Sequence, residues 1–219
     1  MCWNKDISLN TFIVSFSILV FIYYTNNFTK YKLNEFYNNK IIYLFYLAVI
    51  SMQLVEYFLW KNINNPYKNK ILSIIGLLLI FLQPLLAIIG YTTGAYRSKM
   101  LIGYLISCSI YLLYRFFINP NLMKTTVSSK GHLSWEWLKM RGWETIFILL
   151  WLFFLFGSVS DRGNIYGIFV PIGLLIISLY FYYKTNTWGS MWCWIVNIVM
   201  IFFLVKILIY LPYKEHGLC

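Results

Sequence analysis

The sequence predicts an all-α, polytopic transmembrane helix bundle of about seven spans, on three observations. Hydrophobic residues make up 60% of the 219 and charged residues only 11%, against about 25% charged in ordinary soluble domains. Long apolar runs recur along almost the whole chain, and roughly seven spans of 20 residues leave no room for a separate soluble domain. Runs such as Ile71 to Tyr91 and Leu174 to Tyr183 are continuous rather than alternating, which excludes a membrane β-barrel. Helices are the form that satisfies every backbone group without water.

Hydropathy places the spans at 8–26, 41–60, 71–95, 99–118, 144–160, 164–183 and 188–211, within a single integral membrane domain covering 1–219. The segment before the first span lacks an Ala-x-Ala-type cleavage site, so that span is expected to remain as an anchor. The fifth span is short and the Asp161-Arg162-Gly163 connection tight. A re-entrant pair there would reduce the count to five full crossings, and seven is the preferred reading.

An odd number of crossings puts the termini on opposite faces. The N-terminal face, side A, receives 61–70, 119–143 and 184–187; side B receives 27–40, 96–98, 161–163 and the C-terminal tail. Side A carries about ten basic residues and side B about eight, which leans toward a cytoplasmic N-terminus. The formal charge of +11 is spread over these connections, where it suits anionic headgroups rather than nucleic acid. Tyr23, Tyr24, Trp60, Trp188, Trp192, Trp194 and Tyr210 lie near span ends and read as interfacial belts. The 119–143 connection is polar at first and then interleaves aromatics with charges from Leu133 to Met140, as either a lid over side A or a surface helix along the interface would.

Glu56 is the most informative residue. An ionised carboxylate facing lipid would cost about 2.5–3.5 kcal/mol at mid-membrane, so it must face protein, water or a cation, or carry a proton. Gln53 shares its helical face at i,i+3, and the pair is either a site or relay, or an interhelical clamp. Gln83 and Pro84 interrupt the third span, where proline frees a carbonyl: an interior acceptor or a packed kink. Ser190, Cys193 and Asn197 share one face of the last span.

In the seven-span topology Cys2, Glu56, His132 and Cys193 all fall at side A. Two thiolates with an imidazole or carboxylate are a ligand set for zinc or copper. Lys206 faces away from the Ser190 face and no acidic counterion stands on the third span, which disfavours a retinal-type photoreceptor. The cysteines Cys2, Cys108, Cys193 and Cys219 form no CxxC pair, and no GxGxxG, Walker, HExxH or Ser-His-Asp pattern occurs. Asn27-Phe28-Thr29 meets the glycosylation pattern but abuts the first span.

Met1-Cys2-Trp3, Gln53-Leu54-Val55-Glu56 with Trp60, and Ser190-Met191-Trp192-Cys193-Trp194 together resemble a family of small multi-spanning membrane proteins of giant viruses, algae and bacteria. Asn4 departs from the Ser expected in the opening. The resemblance implies a membrane protein, viral among its possible origins, in which Cys2, Glu56 and Cys193 belong together; it implies no activity. Three functions therefore stand open: a structural or assembly protein, a small channel or carrier past Gln83 and Glu56, and a metal-binding or redox protein using Cys2 and Cys193. The expected partner is the lipid bilayer, with homo-oligomerisation and a small ligand or ion left open.

Overall fold

The computed structural model describes residues 4–37, 39–139, 142–160 and 166–215. These are almost entirely helical. Five helices are long and apolar enough to cross a membrane: α1 (Lys5–Phe28), α3 (Lys40–Lys61), α4 (Pro66–Tyr91), α5 with the π turn that extends it (Gly94–Ile118), and the rod Trp188–Glu215. Between α1 and α3 lies the single turn α2 (Asn34–Tyr37). Two further apolar helices, α6 (Thr145–Ser160) and α7 (Tyr166–Tyr182), have 16 and 17 residues. At 1.5 Å per residue they measure about 24 and 26 Å, short of a hydrocarbon core of about 30 Å.

Helix starts follow side-chain chemistry that hydropathy does not register. Asn4 Oδ1 accepts from Asp6 N and Ile7 N, Asn39 Oδ1 from Ile41 N, and Asn65 Oδ1 from Lys68 N with Pro66 behind it. Each asparagine satisfies amides that the first helical turn leaves without partners. α4 begins and ends about four residues earlier than its predicted span, because Pro66 opens it and Thr92-Thr93 closes it.

α3 is the central helix, packed most extensively on α4 and α1. The α3–α4 approach is close where α4 carries glycine: a Cβ on Gly90 would stand 2.7 Å from Ile42 Cδ1. α6 lies along α4 and α5, and α7 packs against α8 (Trp188–Ile195). The last rod is not one regular helix. It breaks at Val196–Asn197, resumes as α9 (Ile198–Val205), widens into a π turn at Lys206–Tyr210 and ends in α10 (Leu211–Glu215). Asn197 Nδ2 donates to the Cys193 carbonyl at 2.7 Å, a local bond of the kind that competes with helix continuation.

The 119–143 connection corrects one of the two expectations for it. It is not a surface helix but carries an antiparallel hairpin, β1 (Thr125–Val127) with β2 (Leu133–Trp135), followed by a 3-10 turn at Glu136–Leu138. The segment is a plug: Leu133, Trp135 and Trp137 are all at most 2% exposed. Trp188 and Trp192, expected in an interfacial belt, also belong to the core, whereas Tyr23, Tyr24 and Tyr210 are exposed.

Contacts gather the connections at two ends of the bundle, for which the labels A and B are kept. Asn69 and Thr125 join 61–70 to the hairpin, and Asn186 Nδ2 donates to Ser134 Oγ at 3.0 Å, bringing 184–187 to the same end. At the other end Glu35 accepts from Lys206 Nζ at 2.6 Å, Glu215 pairs with Lys30, and Asn39 Nδ2 donates to the Gly90 carbonyl at 2.6 Å. Lys206 is thus one half of a side-B ion pair. Asn27, in the glycosylation pattern, sits in the last turn of α1 and donates to its own helix at Tyr23 O.

The Pro84 kink has an identified partner. Proline lacks the N–H that would bond Ile80 O, and the Trp151 indole of α6 donates to that carbonyl at 2.9 Å. Tyr104 of α5 donates to the next carbonyl, Phe81 O. Trp151→Phe is expected to lower stability in detergent by about 1 kcal/mol, the scale of an interhelical bond in membranes. In a Pro84→Ala background, where the helix bonds Ile80 O itself, the same change should cost measurably less; equal costs in a thermal double-mutant cycle would refute the clasp.

Candidate functional site

Glu56 and Gln53 sit in the last third of α3, buried at 3% and 0% exposure, on the face turned toward α8 and the hairpin. Gln53 Nε2 donates to Glu56 Oε2 at 3.3 Å, a long bond. Ser190, in the first turn of α8, supplies a hydroxyl facing the same carboxylate. Glu56, Ser190, Ser8 of α1, Trp60, Trp194 and His132 line a cavity of about 10 Å³. That is at the lower bound for one water molecule. The remaining oxygens, Glu56 Oε1 and Gln53 Oε1, are buried without a hydrogen-bond partner.

The hairpin roofs this cavity through His132 and Leu133. It is locked to α4 by Asn69, whose Nδ2 donates to Thr125 O while its Oδ1 accepts from Thr125 N, both at 2.9 Å. Ser73 Oγ lies 2.9 Å from Thr125 Oγ1. Gly189 makes room on α8: a Cβ there would meet Leu138 Cδ2 at 2.7 Å and the Trp135 ring at 3.2 Å. His132 packs edge-on against Tyr182, ring centroids 5.4 Å apart. Burial, and then the nearby Lys130 charge, push its pKa below the ordinary histidine value of 6.5, so it faces Glu56 as a neutral imidazole at pH 7.

Glu56, His132 and Ser190 thus share one chamber. Cys193 is one turn further along α8 and lines a separate, apolar cavity of about 20 Å³ walled by Trp135, Trp151, Trp188 and Trp192. Among the described residues no group of three or more His, Cys, Asp or Glu side chains is placed to hold a metal ion, and Cys2 lies outside the described residues. Asn197 is buried with Oδ1 unpartnered and its amide turned back on Cys193 O. Gln83 is buried but remote from the chamber. α4 faces α3 at Gly76 against Val55 and Met52, and at Gly90 against Ile42, which sets Gln83 level with residue 48 or so, about 12 Å along the helix from Glu56. It lines neither cavity.

A second buried polar centre escaped the sequence reading. Arg115 in the π turn is fully buried, and its Nη2 donates to Glu144 Oε2 at 2.8 Å. Its Nε donates to Tyr111 Oη at 3.0 Å, while Tyr114 Oη donates to Glu144 Oε1 at 3.0 Å. Tyr111 Oη in turn donates to Trp137 O at 2.7 Å, tying the pair to the plug. Arg115 lies near the end of its helix, where a basic residue ordinarily reads as a headgroup contact, and Glu144 is 29 positions away. The usable signal was Tyr111, Tyr114 and Arg115 on one turn; the charge partner had no signal at all.

No family profile, curated protein or solved structure matches the chain. Chemically, the Arg115 centre cancels its charge internally, with only Arg115 Nη1 left without an acceptor, and is suited to holding the α5–α6 corner. The Glu56 chamber is different in kind, since it combines a carboxylate, hydroxyls and a neutral imidazole with acceptor oxygens left over.

Removing one partner of a buried ion pair strands a charge, at a cost of about 3–5 kcal/mol, whereas replacing both by apolar residues costs far less. Arg115→Met is therefore expected to collapse the folded yield, and Arg115→Met with Glu144→Leu to recover most of it, as read by size-exclusion profile and melting temperature. A double variant no better than the single would place the stabilisation elsewhere.

Proposed function

We propose that the chain is a multi-pass integral membrane protein that crosses the bilayer seven times, with its N-terminus cytoplasmic, and serves a structural or assembly role. The observation that carries the role is the tight packing of the interior among the described residues. The two best-formed cavities have volumes of about 20 and 10 Å³, room for at most one water each. Neither is a passage. Many of the polar groups along the bundle make cross-helix bonds: Trp151 to Ile80 O, Trp192 to Pro171 O, Ser178 to Trp188 O, Trp194 to Thr11, and Arg115 to Glu144. The exposed surface of α5, α7 and α9 is a continuous supply of Ile, Phe and Val for lipid or a neighbouring protein.

Seven crossings are supported by the course of α6. It meets the end of α5 at Arg115–Glu144, and its far end meets the start of α5, where Tyr96 Oη donates to Gly157 O at 3.3 Å. A helix of 16 residues that follows its neighbour between these contacts crosses the layer, with the bilayer thinning or flanking residues making up the length.

In liposomes the purified protein should conduct no ions above the protein-free background. Single cysteines at Asn64 and Gly163, in a chain otherwise without cysteine, should react with an impermeant maleimide from opposite faces. Ion flux would refute the structural role, and a position 163 protected from both faces would reduce the crossings to five.

A further inference from the structure

The acids of this protein divide unequally. Of the six described, Glu35, Glu136, Glu144 and Glu215 each hold a Lys or Arg within ion-pair distance, and Asp6 is exposed at the start of α1. Glu56 is buried, and among the described residues no basic side chain stands beside it. Such a carboxyl inside a membrane bundle either carries a proton or, when ionised, needs a compensating positive charge. We propose that the Glu56 chamber binds one sodium-sized monovalent cation through oxygen atoms, in competition with a proton.

Four features set that ligand class. Glu56, which lines the cavity, has a buried Oε1 without a donor, and Gln53 Oε1, one turn earlier on α3, is a second unpartnered acceptor behind it. The surrounding donors are hard oxygens, the hydroxyls of Ser190 and Ser8, with a single negative charge among them. One carboxylate balances a monovalent ion; divalent ions favour more carboxylates and six or more oxygens. The cavity of about 10 Å³ excludes hydrated or organic cations. The site also lies near the C-terminal end of α3, where the helix carbonyls and dipole favour positive charge, and has Trp60 and Trp194 in its wall.

The titratable groups facing Glu56 are few. The hairpin contributes His132, which is neutral at pH 7, α8 contributes Cys193, and α1 contributes Ser8 and no charge. Among the described residues no cationic side chain lines the chamber, and the proposed competitor is the solvent proton. This inference stands apart from the structural role, since a bound ion can fasten helices without crossing the bilayer.

The test is the melting temperature of the detergent-purified full chain in NaCl against N-methylglucamine chloride at matched ionic strength, together with equilibrium binding of radiolabelled sodium. A ligand that binds only the folded state stabilises it in proportion to the logarithm of its concentration above Kd. Sodium should raise the melting temperature by about 5 °C at roughly 100-fold above its Kd. The rise should be larger at pH 8.5 than at pH 6.5, and binding should saturate at about one ion per chain. Glu56→Gln should abolish both effects, and Ser190→Ala, which keeps the carboxylate, should weaken binding several-fold. Should Glu56→Gln fail to fold, the wild-type stoichiometry and Ser190→Ala decide alone. A wild type without saturable sodium binding overturns the proposal, whether its stability follows pH or not, and so does binding that Ser190→Ala leaves unchanged.

Discussion

The side chain of Asn69 and the backbone of Thr125 exchange two hydrogen bonds of 2.9 Å, and the side-A half of the molecule depends on that exchange. A hairpin of three-residue strands presents edge amides and carbonyls that cannot be left bare among apolar helices. An asparagine is the economical solution, because its amide reproduces the donor and acceptor of a neighbouring strand. Once the edge is satisfied, the hairpin's aromatic residues become core. Trp135 and Trp137 stack with centroids 4.9 Å apart, Trp137 packs over Gly76 and Trp135 against Gly189. His132 is carried into the roof of the Glu56 chamber by the same placement.

The plug also explains where the polar chemistry gathers. At side B the connections close on ion pairs, Lys206 with Glu35 and Lys30 with Glu215, in which charges are partly solvated and cancel locally. An exposed pair such as Lys30 with Glu215 contributes little to stability. At side A the hairpin replaces water as the neighbour of α3, α5 and α8, so polar groups there lose solvent and must find protein partners. Arg115 and Glu144 find each other, with Tyr111 and Tyr114 taking further valences. Glu56 finds an amide and a hydroxyl.

The five long apolar helices were legible because hydrocarbon thickness forces long apolar runs, and a run of that kind survives in one dimension. The presence of an acid in the second of them was legible for the converse reason, that lipid penalises it. The hairpin was not, since strands of three residues carry too few alternations to outweigh the aromatic and charged mixture of an interfacial segment. Trp188 and Trp192 were misread because a belt tryptophan and a core tryptophan occupy the same sequence position, near a helix end, and differ only in what the hairpin places above them. Pro84 announced a free carbonyl, while its partner Trp151 lies 67 positions away. Arg115 and Glu144 show the same limit: each residue type is visible, and the pairing is a property of packing.

The contrast between the two buried acids bears on how each centre can behave. Glu144 is held by a fixed guanidinium, a charge that no change of pH removes, so its electrostatic state is built into the fold. Glu56 has only neutral neighbours: an amide that reaches it at 3.3 Å, a hydroxyl free to rotate, and an imidazole whose burial keeps it uncharged. None of these can supply the missing positive charge, yet each can reorient around one that arrives. Fixed compensation makes a structural corner, whereas neutral, adjustable surroundings make a place whose occupancy depends on the solution. Both sit under the same hairpin, so a change of occupancy at Glu56 would act on the element that also anchors Arg115 through Tyr111 and Trp137.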